Sequence, residues 1–211
     1  MSFSLDLTKP LGRLGLALNL VLLSAVFYGV SAGAYHYMSD TLPESSAHAQ
    51  EAVVKAGLIE KAVAKAKAAA KGKAFDVKAA TAQAEAAVAA DFKKQAEEIH
   101  HHAVEGWAPF AVFLLILSAT FLAGFLSVYV QRRANDAGLK GLWIFPNHLG
   151  AWALAGYVAF YPFLSAHGLR NAWAPAFIVG LVLLLPVLFA GEGHHDHDHD
   201  HGHSHSHSHS H

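Results

Sequence analysis

Four long hydrophobic runs without a charged residue dominate the chain. They occupy residues 14–35, 107–131, 142–165 and 172–190. A helix rises about 1.5 Å per residue, so a run of about 20 apolar residues crosses a hydrocarbon core of roughly 30 Å. The pattern therefore predicts an all-α integral membrane protein with four transmembrane helices.

Two features of these runs leave alternatives open. Prolines interrupt the third and fourth runs, so a re-entrant hairpin is an alternative to two full spans. The first run follows Lys9 and Arg13 and contains Ala32-Gly33-Ala34, which also fits a cleaved signal peptide. Its apolar stretch exceeds the about 7 to 15 residues usual for a signal peptide, which favours an uncleaved anchor.

The segment between the first two runs, residues 36–106, is rich in alanine, lysine, glutamate and glutamine. These residues are good helix formers. Gly72 and Lys73 interrupt the pattern, and Asp76 is suited to cap a second helix. We predict an Ala-rich extracytoplasmic helical hairpin with arms at residues 46–71 and 76–104. Its thin apolar stripe fits either a solvated spacer or a docking surface for a partner subunit or an envelope component.

The basic residues near the spans predict the orientation. They lie in the segment 1–13, before the first span, and in the segment 132–141, between the second and third spans. Lysine and arginine in short flanking segments favour the cytoplasmic side. The hairpin and the short loop 166–171 then lie outside, and both termini are cytoplasmic. We therefore expect a multi-span protein of the bacterial inner membrane.

Composition excludes several classes of function. The 211 residues include 15 basic and 16 acidic side chains, so there is no basic excess for nucleic-acid binding. The chain has no cysteine, which excludes disulfides, thiolate zinc sites and iron–sulfur clusters. We find no haem or nucleotide motif and no nucleophile, base and orienting group that belong together, so we predict that the protein is not an enzyme.

Ten of the 17 histidines lie in the C-terminal segment 191–211, where they alternate with aspartate and serine. Such a segment cannot build a core, and we expect a disordered tail. Imidazoles and carboxylates together suit Zn²⁺, Ni²⁺ or Cu²⁺. A purification tag or a drifted repeat is the alternative, although a tag is typically an unbroken run of histidines. The predicted ligands are His194, His195, Asp196, His197, Asp198, His199, Asp200, His201, His203, His205, His207, His209 and His211.

A second group of histidines is predicted at the outer membrane surface. In residues 97–105, histidines and glutamates recur at helical spacing: Glu97, His101 and Glu105 share one helix face. Glu98, His102 and Glu105 nearly share another, and either face presents an imidazole with carboxylates. Two further histidines follow the outer ends of the first and third spans, and the topology brings all of them to one surface. The alternative is that histidines are simply tolerated at the interface. The candidate ligands are His36, His100, His101, His102, Glu105 and His167.

The most specific motif lies between the second and third spans and reads R-R-x-x-D-x-G-x-x-G-x-W. Its residues are Arg132, Arg133, Asp136, Gly138, Gly141 and Trp143. It suits a membrane exit, with arginines facing lipid phosphates, a turn, and an interfacial tryptophan. Across residues 106–190 the chain resembles the bacterial inner-membrane family called domain of unknown function 805. Here Ala134-Asn135 replaces the family's Leu-His pair, and Ile144 replaces a second tryptophan. The family has no established activity, so the resemblance implies a membrane fold and no substrate.

Together these features predict a membrane accessory protein that organises or supplies a membrane complex. Its expected partners are lipids and other membrane subunits or copies of itself. A metal-ion permease component and a small subunit of a respiratory or photosynthetic complex are the alternatives. The predicted spans contain no Asp, Glu, Lys or Arg of the kind that ion relays use, and His148 lies close to the inner end of the third span. Small residues at intervals of four in residues 25–33 and 151–159 predict close helix contacts.

Overall fold

The computed structural model describes residues 11–70, 74–139, 141 and 144–191. Most of these residues are helical, and none of them is in a β-strand. The predicted histidine-rich tail and Trp143 lie outside the described residues. The helices are α1 (Arg13–His36), α2 (Leu42–Ala69), α3 (Val77–Asp136), α4 (Ile144–Ala166) and α5 (Arg170–Phe189), and a π-helical turn, Tyr37–Thr41, joins α1 to α2.

Four helical stretches within the described residues are long and apolar enough to cross a membrane. The first is a continuous stretch of 57 residues, Arg13–Ala69, in which α1 runs through the π-helical turn into α2. α3 has 60 residues. At about 1.5 Å per residue α3 is about 90 Å long, so it extends far beyond one hydrocarbon core. The predicted hairpin arms are thus continuations of the first two apolar helices, because Gly106 and Pro109 do not interrupt α3.

α2 and the N-terminal part of α3 lie side by side. A short connection joins them, so they run antiparallel. Near one end of the pair, Trp107 Nε1 donates a hydrogen bond to Ser46 Oγ at 3.3 Å. Alanines such as Ala47, Ala84 and Ala103 are buried. Alanine lets two backbones come close but buries little apolar area, so this pair is held together weakly per residue.

α1, α4, α5 and the C-terminal part of α3 form a bundle with a leucine- and valine-rich core. The hydroxyls of Ser31 and Ser118 share a buried hydrogen bond of 2.7 Å between α1 and α3. The core side chains with no exposed surface include Leu16, Leu122, Leu126, Val130, Leu184 and Val187.

The two predicted stripes of small residues have different surroundings. Ala151, Ala155 and Ala159 on α4 have no exposed surface and lie inside the bundle. Gly29 and Gly33 on α1 are exposed, and a Cβ added to either would meet no atom within 4 Å. The α4 stripe therefore serves contacts within the chain, whereas the α1 stripe faces outward.

Glycines with positive φ end α3 and α4. Gly138 has φ of 68°, and the N–H of Leu139 donates to the carbonyl of Ala134 at 2.9 Å. This bond closes a Schellman motif, which needs a left-handed residue after the helix. Gly168 plays the same part after α4 with φ of 69°, and Gly141 also has φ of 68°.

Prolines do not end the last two helices. Pro162 lies inside α4, and Pro175 and Pro186 lie inside α5. α4 has 23 residues and α5 has 20, so each is long enough to cross a membrane by itself. This length favours two full spans over the re-entrant alternative.

Candidate metal centre

Two imidazoles and one carboxylate come together on α3, just before Trp107, which contacts Ser46 near the start of α2. His101 and His102 precede Glu105 by four and three residues, so both side chains reach the same carboxylate. His101 Nδ1 lies 3.5 Å from Glu105 Oε2, and His102 Nδ1 lies 3.6 Å from that oxygen. The two imidazole rings are nearly perpendicular, with an interplanar angle of 88° and centroids 6.2 Å apart.

The spacing of these three side chains fits a divalent metal ion. Among the described residues, they form the one group of three or more metal-ligating side chains whose ligand atoms all lie within 4.8 Å of one another. Zinc bonds to imidazole nitrogen and carboxylate oxygen are about 2.0–2.2 Å long, so two ligands of a tetrahedral ion are about 3.3 Å apart. Small side-chain rotations are therefore sufficient to close the group around an ion. Imidazole with carboxylate suits Zn²⁺, Ni²⁺ and Cu²⁺.

The group is open to solvent. The side chains of His101, His102 and Glu105 are 71%, 78% and 62% exposed. Three protein ligands leave a coordination position for water or for a donor from another molecule. This arrangement suits a metal ion that is captured and passed on better than one that holds a fold together.

The other predicted outer ligands lie apart from this group. His100 is exposed on the same helix but does not belong to the group. His36 Nδ1 lies 2.6 Å from Asp40 Oδ2, one turn along the chain. His167 Nδ1 lies 2.9 Å from the carbonyl oxygen of Phe163, within hydrogen-bonding distance. The structure thus gives His36 and His167 contacts of their own.

His48 on α2 is a histidine–carboxylate site that our sequence analysis missed. Its Nε2 lies 3.9 Å from Glu44 Oε1, and its Nδ1 lies 3.6 Å from Glu51 Oε2. The signal was the spacing of four and three residues, the same as around Glu105. The two carboxylates approach different ring nitrogens of one imidazole, so they do not converge on a single ion.

The arginine pair lies inside the protein, although we predicted that it faces lipid. Arg132 is 6% exposed and Arg133 has no exposed surface. The last turn of α3 meets the start of α1 and the end of α5. Arg133 Nη2 donates to the carbonyl oxygen of Ala190 at 2.5 Å. A carboxylate oxygen of Asp136 accepts a hydrogen bond from the backbone N–H of Leu11.

No protein-family model matches the chain, and no curated protein and no solved structure shows significant similarity to it. The resemblance to the family called domain of unknown function 805 therefore stays a prediction from the motif at residues 132–143.

Proposed function

We propose that this protein is a non-enzymatic, four-span accessory protein of the bacterial inner membrane that binds a transition metal. One metal site lies at the base of an extracytoplasmic helical hairpin, formed by α2 and the N-terminal part of α3. The second is the histidine-rich tail in the cytoplasm. The observation that carries the proposal is that the ligand atoms of His101, His102 and Glu105 lie within 4.8 Å of one another on the exposed surface of α3.

Membrane insertion is supported by the apolar outer surface of the bundle. Large apolar side chains are exposed on the outward faces of its helices, and soluble monomers rarely expose such large apolar patches. In a membrane these side chains contact lipid hydrocarbon instead of water, which removes the free-energy cost of exposing them. Examples are Phe110, Phe113, Phe121, Ile178, Val182 and Phe189.

The proposed orientation is supported by the meeting of two helix ends. Arg13 Nε, at the start of α1, donates to the carbonyl oxygen of Ala190, just after α5, at 3.1 Å. The two ends therefore lie at the same end of the bundle, together with the arginines that end α3. Basic residues favour the cytoplasmic side, so the tail is placed inside the cell and the hairpin outside it.

Capture and delivery of a metal ion fit the open ligand set of the hairpin site. The predicted spans have no Asp, Glu, Lys or Arg to relay an ion, and their one histidine, His148, lies close to the inner end of the third span, which favours an accessory protein over a permease. The two metal-binding regions would then act on opposite sides of the membrane, each for a complex or metal supply on its own side.

Calorimetric titration with Zn²⁺ and Ni²⁺ tests the hairpin site. The protein is shortened to end at Gly191, which removes the tail ligands. In this background we expect His101→Ala with His102→Ala to weaken binding by at least about tenfold. The removal of outer-shell partners alone changes metal affinity by about 10–100-fold, and here two direct ligands are lost.

His48→Ala is the matched control, because His48 is an equally exposed histidine beside two carboxylates. It should leave the affinity unchanged. Equal binding by the shortened protein with and without the two alanines would contradict the hairpin site. Full-length protein that binds no more metal than the shortened protein would contradict the tail site.

A further inference from the structure

Arg133 is the largest side chain without exposed surface in the described part of the chain. It lies where the start of α1, the end of α3 and the end of α5 meet. Its Nη2 donates to the carbonyl oxygen of Ala190 at 2.5 Å. Among the described residues, its Nε and Nη1 have no hydrogen-bond acceptor.

A buried guanidinium with unused donors needs an anion. Arginine stays charged in proteins, so it cannot avoid the cost of burial by losing a proton. Burial of a charge is costly unless the charge is both paired and hydrogen-bonded. The acidic group one turn along α3, Asp136, accepts the backbone N–H of Leu11 instead. The carbonyl of Ala190 is neutral and supplies only part of the required negative potential.

A second guanidinium converges on the same acceptor. Arg13 Nε donates to the carbonyl oxygen of Ala190 at 3.1 Å, and the Arg13 side chain is exposed. Two positive charges thus share one neutral oxygen, one from inside the bundle and one from its surface. The paired N–H groups of a planar guanidinium match the spacing of phosphate oxygens, and a phosphate accepts several charge-assisted hydrogen bonds at once.

We propose that Arg13 and Arg133 bind one phosphate group beside the carbonyl of Ala190. The phosphate reaches the site from the surface at the exposed Arg13, and it accepts hydrogen bonds from Nε and Nη1 of the buried Arg133. Arg13 directly precedes the first apolar run, so the site lies at the depth of lipid headgroup phosphates. Either an anionic phospholipid or free phosphate has the required chemistry. The bound phosphate links Arg13 of α1 to Arg133 of α3, and both arginines also donate to the carbonyl oxygen of Ala190 after α5. This role is independent of the metal sites.

Thermal unfolding of the full-length protein in lipid nanodiscs tests the proposal. We compare discs of phosphatidylcholine with discs that contain phosphatidylglycerol, and with phosphatidylcholine discs to which inorganic phosphate is added. We expect Tm to rise with phosphatidylglycerol by at least about 2–4 °C, the shift that a modest stabilisation produces in a chain of this size. A rise with inorganic phosphate as well identifies free phosphate as a sufficient ligand, and a rise with phosphatidylglycerol alone identifies the lipid.

Arg133→Gln should abolish this rise, whereas Arg170→Gln should keep it. Arg170 is the control because it is exposed at the opposite end of the bundle, at the start of α5. Arg13→Gln changes an exposed side chain and gives the same test if Arg133→Gln does not fold. Equal Tm values in all three conditions would overturn the proposal. A lipid effect that survives in both Arg13→Gln and Arg133→Gln would overturn it as well.

Discussion

Asp76 begins α3 by accepting hydrogen bonds from the backbone N–H groups of Lys78 and Ala79, at 2.9 and 3.2 Å. Such a cap depends on residues that are neighbours in the chain, so the sequence predicted it. The surroundings of Arg133 are of the opposite kind. Its acceptor, Ala190, is 57 positions away in the chain, and no local pattern indicates that the two meet.

Asp76→Ala should lower the free energy of unfolding of α3 by about 1 kcal/mol, because it leaves the first N–H groups of the helix without an acceptor. Asp76→Asn keeps a capping oxygen and should have a much smaller effect. Hydrogen exchange of the amides at Lys78 and Ala79 measures the change. Equal exchange rates in the two variants would show that Asp76 does not hold this end of the helix.

At the scale of elements, α4 and α5 pack at a contact between two glycines. A Cβ on Gly150 would lie 2.7 Å from the carbonyl oxygen of Gly180 and 2.9 Å from Leu183 Cβ. The sequence marked small residues on α4, but it did not show which of them has α5 against it. That depends on the rotation of each helix about its axis, which interlocking side chains decide.

Gly150→Ala should destabilise the α4–α5 contact by about 1–3 kcal/mol, the usual cost of overpacking a close contact. Gly156→Ala is the control on the same helix, since its Cβ would meet no atom within 4 Å. Alanine is the better helix former, so this variant should be as stable as the wild type or slightly more so. Thermal unfolding in detergent compares the two. A Tm for Gly150→Ala at or above that of Gly156→Ala would contradict the close contact.

The sequence predicted only part of the length of α3. The composition of its two halves predicted helix on each side of Gly106. Nothing in the sequence required a break, and the structure has none. One continuous helix thus connects the metal-ligand group at residues 101–105, near its middle, with the arginines at its C-terminal end.

At the scale of the whole molecule, the contact of Arg13 with Ala190 places the start of α1 and the end of α5 at one end of the bundle. α2 and the N-terminal part of α3 form the helix pair that extends beyond the bundle. The end of α2, at Ala69, and the start of α3, at Val77, lie at the end of this pair that is far from the bundle. The chain has no cysteine, so single introduced cysteines can report on this arrangement.

Lys67→Cys, in the last turn of α2, and Gly191→Cys, after α5, should lie on opposite sides of the membrane. In spheroplasts, a membrane-impermeant maleimide should label Lys67→Cys and should label Gly191→Cys only after permeabilisation. The basic flanks are the physical reason for this orientation. The reverse labelling would overturn the orientation, and equal labelling of both in intact spheroplasts would overturn the opposite placement of the two positions.

The sequence by itself determined the helical class, the four apolar stretches, the cap at Asp76 and the spacing that brings His101 and His102 within reach of Glu105. Each of these depends on the length, period or capping chemistry of one segment, and these act over a few neighbouring residues. Only the tertiary structure decided that Arg133 is buried beside Ala190 and Arg13 and that α4 meets α5 at Gly150 and Gly180. Those outcomes depend on which helices lie next to one another and at what rotation, because packing between residues far apart in the chain sets both.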